Sequence, residues 1–235
     1  MTVATDDSPA HREPDELRAE NARLARSLAE QEVLIKELHH RAKNNLQIIA
    51  SLLRLQAQAA ADENVAAVLQ ESQHRLDALA MIHEQLYESA GFRQVHLEHQ
   101  ASLLIANLFT AFGVDRARIS GQVVICPRPD GTPLVLGVDQ AIPIGLILNE
   151  LVSNALKHAF PDGRSGTLRI EAQNHHGRVE LAVVDNGVGL PEDPDTRRRK
   201  SLGLEIVEIL ARQLRATWEL KRDAGTTFRL SFPER

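Results

Sequence analysis

The sequence predicts an α+β protein in two parts: a helical hairpin over residues 15–90, then a two-layer sandwich of helices on a largely antiparallel sheet over residues 91–235. Apolar residues recur at heptad spacing through the first part. The second part mixes helical periods with alternating, strand-like segments between Gly- and Pro-rich turns. Residues 1–14 are polar and lack periodicity, so we expect a disordered tail there.

The composition excludes several classes of function. A net charge of −5 argues against nucleic acid as the main ligand, because binding a phosphate backbone needs a basic surface. The single cysteine, Cys126, excludes an internal disulfide framework and suits a reducing compartment. No apolar run approaches the roughly 20 residues that a membrane span requires, and the first residues lack the apolar core of a signal peptide. We therefore expect a soluble, cytoplasmic protein.

The first helix should begin at Asp15 as N-cap and continue as a coiled-coil seam. The seam residues are Leu17, Asn21, Leu24, Leu28, Gln31, Ile35, Leu38, Ala42, Asn45, Ile49 and Leu52. A second stripe, Leu46 and Leu53, runs beside this seam and widens the apolar face to that of a helical bundle.

A turn over Gln56–Asn64, with Asp62 as N-cap, should lead to a second helix that Gly91 ends. Two antiparallel helices cannot bury such broad faces alone. We expect a homodimer that completes a four-helix bundle, with an intramolecular fold-back as the alternative.

The second part alternates helical and extended patterns. We expect an extended segment at 93–96, helices at 97–112, 141–160 and 202–214, strands at 119–125 and 134–137, and two hairpins, 167–173 with 178–184 and 218–220 with 227–232.

Four polar residues share one face of the helix predicted over 141–160: Glu150, Asn154, Lys157 and His158. A carboxylate and an amide one turn apart can hold a divalent cation through oxygen, and a lysine can neutralise phosphate. On its own, such a face is more often simply solvated.

A glycine-rich turn follows the strand that ends at Asp185. Gly187 and Gly189 let the backbone approach a flat ligand, and the Asp185 carboxylate can accept a hydrogen bond from an exocyclic amine. An ordinary Asn-Gly β-turn would explain the same residues equally well.

Ser201, Gly203 and Leu204 open the helix predicted over 202–214, whose amino end would form a phosphate cradle. The basic run before it, 197–200, fits either a solvated charge cluster or a loop that covers phosphates. Thr226 enters the last strand, where its hydroxyl could reach a base.

In this order and at this spacing, these motifs resemble the N, G1, G2 and G3 boxes of the GHKL ATP-binding fold over about residues 140–232. The resemblance implies that Asn154 and Glu150 hold Mg²⁺ or that Glu150 polarises the attacking group, and that Asp185 reads the adenine of ATP. It also implies that Gly187, Gly189 and Gly203 shape the nucleotide pocket, that Thr226 supports the adenine side, and that 192–200 is the nucleotide lid.

The segment Glu37–Leu46, with the sequence Glu-Leu-His-His-Arg-Ala-Lys-Asn-Asn-Leu, is unusually polar for an amphipathic helix. It resembles the phosphoacceptor helix of sensor histidine kinases of the second HisKA-type, HWE-related group, which have H-R-x-K-N at this place. His158 also matches this group, whereas the W-x-E signature of the strict HWE class is not evident. The resemblance covers about residues 35–235.

The heptad phase gives His39 an e-like and His40 an f-like position, so His40 points away from the bundle core. The resemblance also favours His40, the histidine directly before Arg41. A neutral imidazole is a nucleophile at phosphorus; Arg41 and Lys43 could stabilise the transferred phosphoryl group, and Asn44 could orient it.

The resemblance implies a kinase that moves the γ-phosphoryl group of Mg-ATP to His40, from which the receiver aspartate of a response regulator collects it. An upstream sensor protein would act through the coiled coil. The alternatives are a GHKL ATPase that only hydrolyses ATP, a serine kinase of a regulatory partner, and a scaffold that has lost catalysis.

Overall fold

A computed structural model describes residues 14–88, 94–189, 202–222 and 224–234. Several predictions fall outside these residues: the tail before Pro14, the domain boundary near residue 90 with Gly91, the lid at 192–200, and Ser201. The chain divides into two compact units, Met1–Ala42 and Lys43–Arg235. Helix α1 (Pro14–Ala59) spans the division between them, and each unit is described by itself.

The first unit, as far as it is described, is the amino-terminal part of α1. The helix is already present at Pro14, one residue before the predicted N-cap Asp15; proline suits the first turn because its missing N–H would have no helical partner there. The apolar side chains of this part are exposed, namely Leu17, Leu24, Leu28, Val33, Leu34, Ile35 and Leu38.

In the second unit, the rest of α1 and helix α2 (Glu63–Glu88) are joined by a three-residue turn, 60–62, which is shorter than the predicted turn over Gln56–Asn64 because both helices extend into that range. Asp62 caps α2, because its Oδ1 accepts a hydrogen bond from the backbone N–H of Asn64 at 2.7 Å. The two apolar stripes of α1 have different surroundings: Leu46 and Leu53 are half-buried, whereas Ile49 and Leu52 are exposed by 47% and 54%. Among the described residues, the part of the predicted heptad seam at Ile49 and Leu52 is therefore a solvent-exposed face of α1.

The remaining chain forms a two-layer sandwich. Its elements are β1 (Gln94–His96), α3 (Leu97–Ala111), β2 (Ile119–Ile125), β3 (Val135–Gly137), α4 (Val138–His158), β4 (Gly166–His175), β5 (Arg178–Asp185), α5 (Leu202–Gln213), β6 (Thr217–Arg222) and β7 (Thr226–Pro233). Helix α4 begins three residues earlier than predicted, because the chain passes directly from β3 into the helix.

The main sheet has five strands in the order β2-β4-β5-β7-β6. The β2–β4 pair is parallel and the other three pairs are antiparallel, which confirms a largely antiparallel sheet. The β4–β5 hairpin is tighter than predicted: only His176 and Gly177, both with positive φ, lie between the strands. Two residues with positive φ suit the right-handed twist of the paired strands.

The core lies between the sheet and the helices α3, α4 and α5. Its largest fully buried side chains include Ile144, Ile147 and Leu148 of α4, Leu168 and Ile170 of β4, and Leu230 and Phe232 of β7. Helix α2 packs on α4, where a Cβ added to Gly145 would overlap the side chain of Ile82. No helix in the described parts of the chain is long and apolar enough to cross a membrane.

Candidate nucleotide site and phosphoacceptor helix

Asp185 is the last residue of β5 and lies beside the start of β7, opposite Thr226. Its carboxylate is 7% exposed. Oδ1 accepts hydrogen bonds from the backbone N–H groups of Gly187 at 2.9 Å and Thr226 at 3.2 Å. Two amide donors on one oxygen fix the orientation of the carboxylate, and neither of these two bonds uses its Oδ2.

The glycines around Asp185 allow backbone segments to approach closely. A Cβ on Gly187 would overlap the carbonyl of Ala159 just after α4, and the next residue, Val188, donates a hydrogen bond to the same carbonyl at 2.9 Å. Gly225, with φ of 139°, lies against the backbone of Asp185. Asp185, Gly187 and Thr226 therefore lie together in the structure, and Gly187 joins the strand end to α4.

The polar face of α4 is not a uniformly solvated surface. Glu150 is 2% exposed, Asn154 is half-buried, and Lys157 and His158 are exposed. Glu150 reaches the first turn of α5, where a Cβ on Gly203 would overlap its Oε2. Leu204 follows in the same turn and is partly buried. The structure thus places Glu150 and Gly203 in contact at the amino end of α5.

Two residues at this end of the site were missed by sequence reasoning. Arg75 of α2 donates to Glu150 from Nε to Oε1 at 2.6 Å and from Nη2 to Oε2 at 3.0 Å. Its Nη2 also donates to Glu71 at 2.5 Å. Burial alone would lower the pKa of Arg75, but the hydrogen bond and charge of Glu150, together with Glu71, raise it above its usual value. The only trace in the sequence is the Glu71–Arg75 spacing of four, which is common on helix surfaces.

Lys157 also faces α2, with its Nζ 4.0 Å from Glu71. His74 lies next to this pair, and its ring centroid is 5.4 Å from that of Phe112. Burial lowers the pKa of His74, as does the nearby charge of Lys157, with a smaller contribution in the same direction from Arg54. Asp77 and Glu71 oppose this shift. The neutral imidazole is the form that the packed α2–α4 contact favours.

We expect the melting temperature of the protein to rise between pH 5.5 and pH 7.5. A histidine whose folded pKa lies below its unfolded value binds fewer protons when folded, so its contribution is lost as the pH falls below the unfolded value. His83, whose pKa burial also lowers, contributes in the same sense. Calorimetry of the wild type and His74→Gln should show a shallower rise in the variant. An unchanged slope would mean that His74 does not differ between the two states.

Oxygen atoms that could bind a metal ion are present, but the Glu150 carboxylate is already bound by Arg75. Magnesium is commonly bound through one or two carboxylates plus substrate phosphates, and the side chains of Glu150 and Asn154 offer oxygens of the right kind. In the described part of the chain, no group of three or more His, Cys, Asp or Glu side chains could hold a metal ion. The side chains of Glu150 and Asn154 are thus of the kind that could hold magnesium, and the Glu150 carboxylate is bound by Arg75 in this structure.

The segment that resembles a phosphoacceptor helix, Glu37–Leu46, lies on α1. In the first unit, His40 and Arg41 are exposed, and Arg41 pairs with Glu37 one turn earlier at 2.5 Å. In the second unit, Asn44 is exposed and the ammonium group of Lys43 pairs with Glu84 of α2. Exposed ion pairs of this kind contribute little to stability, so Arg41 can leave its partner at little cost.

Comparison with known proteins identifies both parts of the chain. The family model described as "Histidine kinase" matches residues 37–112. The model described as "Histidine kinase-, DNA gyrase B-, and HSP90-like ATPase" matches residues 139–235. The chain belongs to the histidine kinases. Its helical region is of the second HisKA type, and the sandwich is the GHKL ATPase domain.

Individual histidine kinases resemble the chain over most of its length. The sensor histidine kinase PdtaS of Mycobacterium tuberculosis is 34% identical over 189 residues, which are 80% of this chain and 36% of PdtaS. The blue-light-activated histidine kinase 2 of Erythrobacter litoralis is 27% identical over 201 residues, 85% of this chain and 56% of that protein. The chain thus spans about a third of the length of PdtaS.

A solved structure supports the same assignment. The histidine kinase domain of the Erythrobacter litoralis EL346 blue-light-activated histidine kinase superposes with a TM-score of 0.60 at 27% identity. The match covers 87% of this chain and 93% of that domain. The prediction of a helical region of the second HisKA type followed by a GHKL sandwich is therefore confirmed.

Proposed function

We propose that this histidine kinase transfers the γ-phosphoryl group of Mg-ATP to His40 and then passes it to the aspartate of a response-regulator receiver domain. The observation that supports ATP as the substrate is the fixed Asp185 carboxylate. Its Oδ1 is used by two backbone amides, and this leaves Oδ2 to accept a hydrogen bond from the amino group of adenine.

Residues that could bind adenine and residues that could bind the phosphates lie in different parts of the proposed site. Adenine would lie against Asp185 and Thr226, next to the close backbone approaches of Gly187 and Gly189. The phosphates would lie at the amino end of α5 near Gly203, because the positive end of a helix attracts anions. Asn154 and Glu150 would hold Mg²⁺, which neutralises phosphate charge, and Lys157 with His158 would lie on the same side of α4.

At the phosphoacceptor helix, a bond forms between a ring nitrogen of His40 and the γ-phosphorus while the bond from phosphorus to the bridging oxygen of ADP breaks. ADP leaves and the imidazole loses a proton. Arg41 and Lys43 would stabilise the charge of the transferred group, and Asn44 would orient the ring or the phosphate. The exposure of His40 and Arg41 is consistent with attack from outside the helix.

The exposed apolar stripe of α1 supports a homodimer as the form that acts. In the second unit, Ile48, Ile49, Leu52 and Leu55 of α1 are all 47–62% exposed, although Ala50 and Ala57 on the other side are buried. A second copy of the hairpin would bury these side chains in a four-helix bundle. The amino-terminal part of α1, with its own exposed heptad residues, would receive the signal of an upstream sensor protein.

We expect Leu52→Asp to convert the protein from a dimer to a monomer, because a charge in the apolar bundle would be buried without a partner. Light scattering after size exclusion measures the mass. Gln47→Asp is the matched control, since it adds the same charge at an exposed position on a more polar side of α1. A monomeric wild type would favour the fold-back arrangement instead.

The proposed reaction is tested by incubating the wild type with γ-labelled Mg-ATP, measuring both labelled protein and released phosphate. A phosphohistidine is lost in acid and kept in alkali, so an acid-labile, alkali-stable label is expected. Steady phosphate release without labelled protein would point to a GHKL ATPase, and phosphate on an added partner's serine would point to a serine kinase.

A further inference from the structure

Helix α2 covers the charged groups that α4 would offer to a nucleotide. Glu71 and Arg75 lie one turn apart on α2. Arg75 binds both oxygens of Glu150, and Glu71 lies 4.0 Å from Lys157. The four charges balance, and the Arg75 and Glu150 side chains are only 14% and 2% exposed. In this arrangement Glu150 and Lys157, the charged groups of α4 that would act on Mg-ATP, are paired with side chains of α2 instead.

The guanidinium of Arg75 lies at the amino end of α5. Its Nη2 is 3.5 Å from the position that a Cβ on Gly203 would take, and the Glu150 carboxylate lies against the same point. This is the place proposed for the terminal phosphates and their magnesium ion. Arg75 donates to both oxygens of Glu150, so a metal ion that binds this carboxylate competes with the guanidinium for it.

A buried polar group lies one helical turn along α4 from the α2–α4 contact at Gly145. Asn149 lies one turn along α4 from Gly145, on the side that meets Ile82. It is 2% exposed, and its Oδ1 has no hydrogen-bond partner in the described part of the chain. A buried amide oxygen without a partner is costly, so any opening of α2 from α4 that admitted water to Asn149 would recover part of that cost.

We propose that Arg75 withholds Glu150 from Mg-nucleotide, so that nucleotide loading and the closed α2–α4 contact oppose each other. This inference rests on the proposed function, because it takes Asp185 and the amino end of α5 at Gly203 as parts of the ATP site. Two events that compete for one carboxylate are linked: each weakens the other by the same factor. Binding of Mg-nucleotide then releases α2 from the polar face of α4. Conversely, the intact α2–α4 contact lowers the affinity for nucleotide.

The direction in which one substitution changes the affinity for Mg-ADP tests this proposal. We expect Arg75→Ala to bind Mg-ADP at least about fivefold more tightly than the wild type, the lower end of typical coupling between sites. Removal of a cation near an anion site ordinarily weakens anion binding, so tighter binding has no general electrostatic explanation. Arg54→Ala is the matched control, because it removes an exposed cation of α1 and should leave affinity unchanged or slightly weaker.

Weaker binding by Arg75→Ala would overturn the proposal and make Arg75 a ligand of the phosphates or a purely structural residue. An unchanged affinity would also overturn it. If the wild type binds no adenine nucleotide at all, the proposed function fails. If the wild type binds and only the effect of Arg75→Ala is missing, the function stands and this inference alone fails.

Because Arg75→Ala leaves a buried carboxylate without its partner, a second measurement uses the wild type only. Hydrogen exchange of residues 70–80 of α2 is followed without nucleotide, with Mg-ADP, and with ADP in EDTA. We expect faster exchange with Mg-ADP than in the other two conditions, since the metal is what competes for Glu150. Equal or slower exchange with Mg-ADP would contradict the proposal.

Discussion

Asp185→Asn is expected to bind adenine nucleotides roughly 100-fold more weakly than the wild type, from a mismatch of about 3 kcal/mol. The substitution keeps the side chain's shape. An amide oxygen can still accept the hydrogen bonds of Gly187 and Thr226, but an NH₂ group replaces the oxygen that would face the adenine amino group. Two donors then face each other in a buried site. Fluorescence titration with a labelled ADP measures the affinity.

The matched control is Glu180→Gln, which removes a carboxylate from the same strand at an exposed position. This variant should bind nucleotide like the wild type, and circular dichroism should show the same fold for both variants. Wild-type affinity in Asp185→Asn would remove Asp185 from the adenine site and leave its carboxylate as a fold-stabilising acceptor of two amides.

His40→Ala is expected to abolish the acid-labile label from γ-labelled ATP while its affinity for nucleotide stays unchanged. The residue is exposed on α1 in the first unit, and the residues of the proposed nucleotide site belong to the second. Removal of the nucleophile should therefore stop the reaction without disturbing the nucleotide site. Labelling and titration on the same preparation separate the two effects.

The neighbouring histidine provides the control for that experiment. The heptad phase gives His39 a different side of α1, so His39→Ala should keep most of the wild-type labelling. Equal labelling in wild type and His40→Ala would mean that another group accepts the phosphoryl. Loss in both variants, with intact nucleotide binding, would indicate that the local helix rather than one imidazole is required.

The sequence predicted those parts of the fold and site that depend on local patterns. Strand β2 has the predicted bounds, and Asp62 caps α2 as expected, because alternation and capping are properties of a few adjacent residues. The assignment of Asp185, Gly187 and Thr226 to one nucleotide site came from the resemblance to the GHKL boxes. The structure places them within hydrogen-bond distance.

What the sequence did not predict depends on contacts between distant segments. Arg75 and Glu150 are 75 residues apart, and no local pattern distinguishes Arg75 from any other arginine on a helix. The heptad pattern likewise showed two apolar stripes on α1 but not which one faces α2. That choice depends on packing: Leu46 and Leu53 are half-buried, whereas Ile49 and Leu52 are exposed.

The most direct measurement of the central claim is the position of the phosphoryl group on the wild-type chain. After reaction with Mg-ATP, digestion and mass spectrometry under alkaline conditions should find one phosphoryl group, on His40, that disappears after brief treatment with acid. An acid-stable phosphoryl group on a serine or threonine, or on a histidine outside the segment Glu37–Leu46, would contradict the claim that α1 presents His40 as the phosphoacceptor.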